Sequence, residues 1–223
     1  MVDEDTIISI RGLRKSFDGN EVLRGIDLDI PRGGTTAIIG KSGEGKSVLL
    51  KCIVGLLEAD AGSIEIHCDT GREDCFERIG FMFQHNALFE SMTAFENVAL
   101  PLVERSTMKR GRVKARVDHL FRQLDLHGVE KKYPAQLSGG MQKRVALARA
   151  LALNPDIVLF DEPTTGLDPL RKNTVFMMIR KYQEKFGFTA LMVSHDLPDV
   201  LYFTDRVAAM HEGGADEILC LGG

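Results

Sequence analysis

Eight residues constrain this chain more than any other feature. Gly40-Lys41-Ser42-Gly43-Glu44-Gly45-Lys46-Ser47 fits the pattern GxxxxGK[ST]. It stands between a run of strand character, Thr36-Ala37-Ile38-Ile39, and a segment with Val48, Leu49, Cys52, Ile53 and Leu56 at helical spacing that stops near Gly55. A chance glycine-rich turn would lack that strand-to-helix setting. Gly40, Ser42, Gly43 and Gly45 would wrap backbone N–H groups around a phosphate, where a Cβ at the glycines would obstruct the approach. The following helix aims its positive end at the anion. Lys46 would then reach the β and γ oxygens, and the Ser47 hydroxyl would hold Mg²⁺.

A second chemical feature lies downstream. Ile157-Val158-Leu159-Phe160 is apolar throughout and ends on Asp161-Glu162. A run without alternation reads as a strand buried on both faces of a parallel sheet, and such sheets bind ligands beyond their C-terminal ends. Asp161 is placed to hold magnesium through water and Glu162 to polarise an attacking water. Ala190 to Val193 is a similar run, separated from the first by a helical segment, Leu170 to Phe186.

Upstream, Ile7 to Ile10, Val22 to Ile30 and Thr36 to Ile39 are divided by turn signals at Asp18-Gly19-Asn20 and Pro31-Arg32-Gly33-Gly34, which predicts an antiparallel β layer. Strands at Ser63 to His67 and Ile79 to Phe83 follow. Thr93 to Lys132 shows only helical spacing, and Gly139 to Leu153 is a further helix with Met141, Val145, Ala148 and Leu151 on one stripe. The layout is a split α/β core carrying a helical insert.

Composition narrows the function. A net charge of -4 argues against holding nucleic acid by bulk electrostatics, and the absence of Trp disfavours a base-stacking surface. The longest apolar runs are too short to cross a bilayer, and the acidic start Met1 to Asp5 is unlike a secretory signal. Cys52, Cys68, Cys75 and Cys220 have no CxxC spacing, so they read as reduced thiols in a cytosolic protein.

Leu137-Ser138-Gly139-Gly140-Met141-Gln142 opens a helix just upstream of the Asp161 strand. With the phosphate loop before it and Asp161-Glu162 after it, this set resembles the signature of the ATP-binding cassette (ABC) family, over about Ile7 to Gly213. The resemblance implies an α/β, P-loop NTPase cassette with a mixed β core, an antiparallel β layer and an inserted helical lobe. It implies one nucleotide-binding domain over 1–223, with 1–86 and 155–223 as catalytic core and about 87–154 as helical lobe and signature helix. ATP and Mg²⁺ are the implied ligands, and ATP hydrolysis the implied activity.

Residue by residue, Phe17 matches the aromatic that stacks on adenine, although alone it reads equally as a strand-end core ring. Gln84 matches the glutamine that touches magnesium and links the nucleotide to the lobe. Asp168, in Thr164-Thr165-Gly166-Leu167-Asp168, matches the loop that crosses between two subunits. His195 matches the switch histidine on the γ-phosphate, though alone it reads as a surface residue. Glu162 falls at the catalytic carboxylate. The resemblance also implies a second copy arranged head to tail, so that Ser138, Gly139 and Gly140 of one close on ATP held by the Lys46 loop of the other.

Between Gln84 and Leu137 the sequence carries neither a long coiled coil nor a zinc module, and it holds one cassette, which is similar to the transporter type. Phe81-Met82-Phe83-Gln84-His85-Asn86-Ala87-Leu88-Phe89, followed by Met92 to Leu102, looks like the ATPase of bacterial phospholipid transporters that work with mammalian-cell-entry (Mce) proteins. That likeness implies a peripheral place on the cytoplasmic face of the inner membrane. Its implied partners are transmembrane permease subunits, an Mce-domain lipid-binding protein and a small regulatory subunit, with no nucleic acid. Phe89 and Met92 are candidates for permease contact or for the core of the lobe. Cassettes for amino-acid import, lipoprotein release or cell division are the alternatives, with a soluble cassette acting on nucleic acid or ribosome behind them. Arg105, Lys109, Arg110, Arg112, Lys114 and Arg116 read as a solvated helix face. After Gly213 the sequence departs from the family pattern on its way to Gly223, so no dimer-clasping tail is expected.

Overall fold

The computed structural model describes residues 5–67, 78–215 and 219–220. In chain order the elements are β1 (Thr6–Phe17), β2 (Asn20–Pro31), β3 (Thr35–Ile39), α1 (Lys46–Ile53), β4 (Ala61–Ile66), β5 (Ile79–Met82), α2 (Ala94–Glu104), α3 (Arg110–Gln123), α4 (Gly139–Ala150), β6 (Ile157–Asp161), α5 (Pro169–Phe186), β7 (Thr189–Ser194), β8 (Arg206–His211), β9 (Gly214–Ala215) and β10 (Leu219–Cys220). β1, β2 and β4 form an antiparallel sheet in the order β2-β1-β4. The larger sheet has the order β10-β8-β3-β7-β6-β5, with β9 paired to β8, and β8, β3, β7, β6 and β5 run parallel.

β3 corrects one expectation. The sequence placed it in the antiparallel layer, whereas it pairs in parallel with β7 and β8, and β4 completes the layer instead. The reason was present in its residues. Thr35 to Ile38 are all buried, the same unalternating pattern as β6 and β7, so both faces of β3 need cover. Gly33 and Gly34, at φ 74° and 65°, turn the chain out of the layer into the sheet.

The two sheet faces bury different cores. Val158, Phe160, Ala190 and Met192 pack with α2, α3, α4 and α5, while Ile157, Leu159, Leu191 and Val193 pack with α1 and the antiparallel layer. Neighbouring side chains of one strand thus enter opposite cores, which is why β6 and β7 show no alternation in sequence. The expected stripe of α3, Val113, Val117, Leu120 and Phe121, is buried, and Leu124 just past its end with it. α1 stops at Ile53, earlier than the spacing suggested, and leaves Leu56 exposed. β8 was not anticipated.

Arg116 departs from the expected solvated face. Its Nε and Nη2 donate to the carbonyls of Ala152 at 3.0 Å and Leu151 at 2.8 Å, satisfying carbonyls left open where α4 ends. Cys52 is buried and unpaired. Cys68, Cys75 and the last residues of the chain, 221–223, lie outside the described residues, as does the Cys220 side chain. Among the described residues no helix is long and apolar enough to cross a membrane.

The start of α2 shapes the loop before it. Thr93 and Glu96 form a reciprocal cap. Asn97, fully buried, accepts from the Phe89 N–H at 2.8 Å and donates to the carbonyls of Phe89, Met92 and Thr93 at 3.0–3.1 Å. Replacing Asn97 with Leu leaves those backbone groups without their partner and should cost about 2 kcal/mol, read from urea unfolding. An unchanged midpoint would show that water substitutes for the side chain.

Candidate functional site

Parallel pairing brings three loops to one edge. Ile39 lies beside Ser194, and Asp161 beside Val193, so β3, β6 and β7 end together and deliver Gly40 to Ser47, Asp161 to Asp168, and His195-Asp196 to the same place.

The phosphate loop is built for a ligand of small reach. Gly43 and Gly45 have φ of 87° and 91°, where a side chain is strained. A Cβ on Gly45 would sit 2.8 Å from Val22 Cγ1, and one on Gly40 would sit 2.7 Å from the Met210 carbonyl oxygen. α1 starts without a side-chain cap, in contrast to α2, α4 and α5, so its first-turn N–H groups are left for an anion. Ser42 is exposed on the rim. Lys46, only 3% exposed, curls back to donate to the carbonyls of Gly40 at 2.8 Å and Lys41 at 2.7 Å. Burial pushes its pKa below the usual lysine value, against the raising influence of Glu162, Glu44 and Asp161. Glu44 uses its own carboxylate to accept from the Lys41 N–H at 2.6 Å, and its other oxygen lies 3.5 Å from His211 Nδ1.

Opposite the loop, Ser47 Oγ donates to Asp161 Oδ1 at 2.6 Å. Glu162 is held at φ 45°, an uncommon conformation for a residue with a side chain and one that recurs at functional sites. Three segments aim its carboxylate: Gln84 Nε2 donates at 3.3 Å, Thr165 Oγ1 donates at 2.8 Å, and His195 Nδ1 lies 3.3 Å away. The structure therefore gathers Lys46, Ser47, Gln84, Asp161, Glu162 and His195. The oxygens of Ser47, Asp161 and Gln84 are hard donors of the kind Mg²⁺ takes.

Five other expected residues, Phe17, Asp168, Ser138, Gly139 and Gly140, make their contacts elsewhere among the described residues. Phe17 is 41% exposed with Lys15 Nζ 5.6 Å from its ring centre, so it is not a core ring. Asp168 caps α5, accepting from the Arg171 N–H at 3.1 Å. Ser138 caps α4 by accepting from the Met141 N–H at 3.3 Å, and Ser138, Gly139 and Gly140 are exposed. A Cβ on Gly139 or Gly140 would meet nothing within 4 Å.

Thr165 was not anticipated, nor was a network beneath His195. Asp196 is buried, accepts from Thr164 Oγ1 at 2.5 Å and pairs with Lys172 of α5. Burial works to raise its pKa, and the bonds from Lys172 and Thr164 outweigh it, so the carboxyl lies below its usual range. In the sequence Asp196 reads as the neighbour of a histidine and nothing more.

The sheet, the loop and the paired acids define a nucleotide-binding cassette of the phosphate-loop class. The model of the ABC transporter family matches residues 23–165, and the chain belongs to that family. It is 42% identical over 220 residues to the sulfate/thiosulfate import ATP-binding protein CysA of Xylella fastidiosa, covering 95% of this chain and 62% of the relative. The protein of the same name from Escherichia coli is 40% identical, with 94% and 59% covered. The chain thus spans about three fifths of the length of the curated relatives it matches. Among solved structures, cbiO1 of Clostridium perfringens, part of the ABC transporter complex cbiONQ, superposes with a TM-score of 0.84 at 30% identity, covering 96% of this chain and 88% of that one. The ATP-binding cassette MJ0796, solved as a dimer in a post-hydrolysis state with ADP and Pi, gives 0.80 at 31% identity, with 97% and 100% covered. The names of these relatives lend no support to lipid transport.

The Asp196 network carries a pH signature. Its contribution is complete above the ordinary carboxylate range near 4 and is lost as acid protonates the lowered group. Asp196→Asn should therefore flatten the acid limb of melting temperature against pH relative to the unmodified chain. Superimposable limbs would remove the network from the stability of the fold.

Proposed function

We propose that the chain is the ATP-hydrolysing subunit of a membrane transporter, acting as two copies beside a separate permease. The observation that carries this reading is the pair Gly139 and Gly140. Glycine is a poorer helix former than alanine, yet here, in the first turn of α4, neither residue needs a positive φ and neither is crowded by its own chain. Their bareness serves something brought from outside. A second copy supplies it: the uncluttered start of α4 closes on the triphosphate held by Lys46 of the other copy, with Ser138 and the helix dipole facing the γ-phosphate. The dimeric state of MJ0796 supports the pairing of two copies.

Each side chain then has a task. Lys46 exchanges the loop carbonyls for phosphate oxygens, and Phe17, exposed, offers its face to the adenine. Ser47, Asp161 and Gln84 would hold Mg²⁺, whose charge offsets that of the phosphates. Glu162 orients the attacking water, steadied by Thr165 and Gln84. His195 reaches the γ-phosphate side, and Asp168 meets the second copy. The catalytic core of 1–86 and 155–223 and the lobe of about 87–154 remain the domain reading. The lobe offers Phe89, 48% exposed, to a permease, and Met92 is half-buried. The protein then sits peripherally on the cytoplasmic face of the inner membrane.

The catalytic residues are shared by cassettes of every cargo, so cargo rests elsewhere. The Phe81 to Leu102 segment supports phospholipid, together with an Mce-domain protein and a small regulatory subunit as further partners. The names of the sequence relatives support sulfate or thiosulfate import, and amino-acid import gains nothing from them. Mass spectrometry of what co-purifies from native membranes separates the two. A permease with an Mce-domain protein establishes the lipid reading, and a permease with a soluble oxyanion receptor replaces it.

Glu162→Gln should lower turnover at least about 100-fold, the scale of lost general-base action, while keeping ATP binding and accumulating a closed dimer. Undiminished hydrolysis would remove Glu162 from the chemistry. Gly140→Ala should raise the melting temperature slightly, as a better helix former, and at the same time reduce turnover about 10-fold or more. An active, stabilised variant would contradict closure on the α4 start.

A further inference from the structure

The ring offered to the base is backed by a charge. Phe17 ends β1 at a two-residue turn, Asp18-Gly19, where both residues have positive φ, and a loop tip of this kind stays mobile unless something ties it down. Asp60, just before β4, ties it. Its carboxylate accepts from Lys15 Nζ at 2.7 Å and from the Ser16 N–H at 2.6 Å, and its own N–H donates to the Arg14 carbonyl at 2.9 Å. One residue thus grips three successive residues of β1. The bonds from Lys15 and Ser16 hold the Asp60 carboxyl below its usual range. Held in this way, the Lys15 side chain is only 16% exposed, and its ammonium stands over the Phe17 ring, 5.6 Å from the centre. A lysine without such bonds keeps its charge in water. The ring itself remains well exposed, so a surface is left for stacking. Leu23, paired with Lys15 across the hairpin, has its Cδ2 3.0 Å from where a Cβ on Gly45 would sit. The hairpin that carries the ring is therefore packed on the loop that would hold the phosphates.

We propose that Lys15 and Asp60 are positioning residues for the base, and that together they set how much of the affinity for a nucleotide its base contributes. The proposal rests on the reading of Phe17 as the adenine platform. Two effects act together. Stacked rings repel through their negative faces, and a cation behind one of them draws that charge away. Asp60 also fixes the hairpin tip beforehand, so less freedom is lost when the base arrives. Neither effect touches the phosphates.

The test compares the binding of ADP with that of ribose 5-diphosphate, which carries the same phosphates and no base, so that turnover does not enter. Phe17→Ala should cut the preference for ADP at least about 5-fold, the lower end of what a base stacked on an aromatic ring contributes. Lys15→Met keeps most of the stem, and Asp60→Asn keeps an acceptor for the Ser16 N–H. Each should cut the preference about 3-fold, the scale of a cation held over a partly exposed ring, while affinity for ribose 5-diphosphate holds. Lys15→Arg should retain the preference, since a guanidinium both pairs with a carboxylate and lies on a ring. A stem that merely packs would give the reverse, loss in Lys15→Arg and none in Lys15→Met, and would overturn the proposal. A full preference in either Lys15→Met or Asp60→Asn, with Phe17→Ala lowering it, overturns the proposal and leaves the platform standing. Equal loss of affinity for both probes also overturns it, because the charge then acts on the phosphates. If Phe17→Ala changes nothing, the platform itself fails and the proposal falls with it. Should Asp60→Asn fail to fold, Lys15→Met and Lys15→Arg decide alone.

Discussion

Parallel pairing of β3, β7 and β6 is the constraint on which the site depends. A parallel ladder fixes neighbouring strand ends side by side, and a few residues beyond those ends the phosphate loop, the paired acids and His195 come within bonding distance. No single loop is long enough to build this cluster alone. The ladder in turn requires cover on both faces, and α1 with the antiparallel layer on one side and α2 to α5 on the other provide it. Core and chemistry are thus consequences of the same three strands.

One strained residue stands where the ladder delivers chemistry. Glu162 leaves β6 in a left-handed conformation, and the Glu162 N–H still finds the Val193 carbonyl at 3.1 Å. Its side chain is the meeting point of Gln84, Thr165 and His195, each from a different segment. A backbone turned this sharply holds only because several neighbours define it at once.

The residues that sequence reading found are those whose type declares a task. The glycines and Lys46 of the loop, the acids after an apolar run, and Ser138-Gly139-Gly140 at a helix start all announce themselves by chemistry and order. β6 and β7 were legible because an unbroken apolar run admits few other readings. β3 carried the same sign but was overshadowed by the hairpin signals on either side of it. Asn97 was not legible. Its partners are backbone carbonyls and an N–H group, which every residue possesses, so no complementary residue type marks the other end of the bond. Arg116 was misread for the same reason: a basic residue among basic neighbours gives no sign that it bonds the end of α4.

Asn97 also bears on how such a cassette changes over time. The path of residues 89–93 is dictated from within, by an amide that no solvent-side substitution touches. Phe89, Glu90 and Ser91 are exposed on that path, so they can be exchanged without redrawing it. On the proposed docking of this rim against a permease, an interchangeable coupling plate on a fixed mount would let one engine be refitted to different membrane machinery by a handful of surface replacements, leaving its fuel chamber untouched.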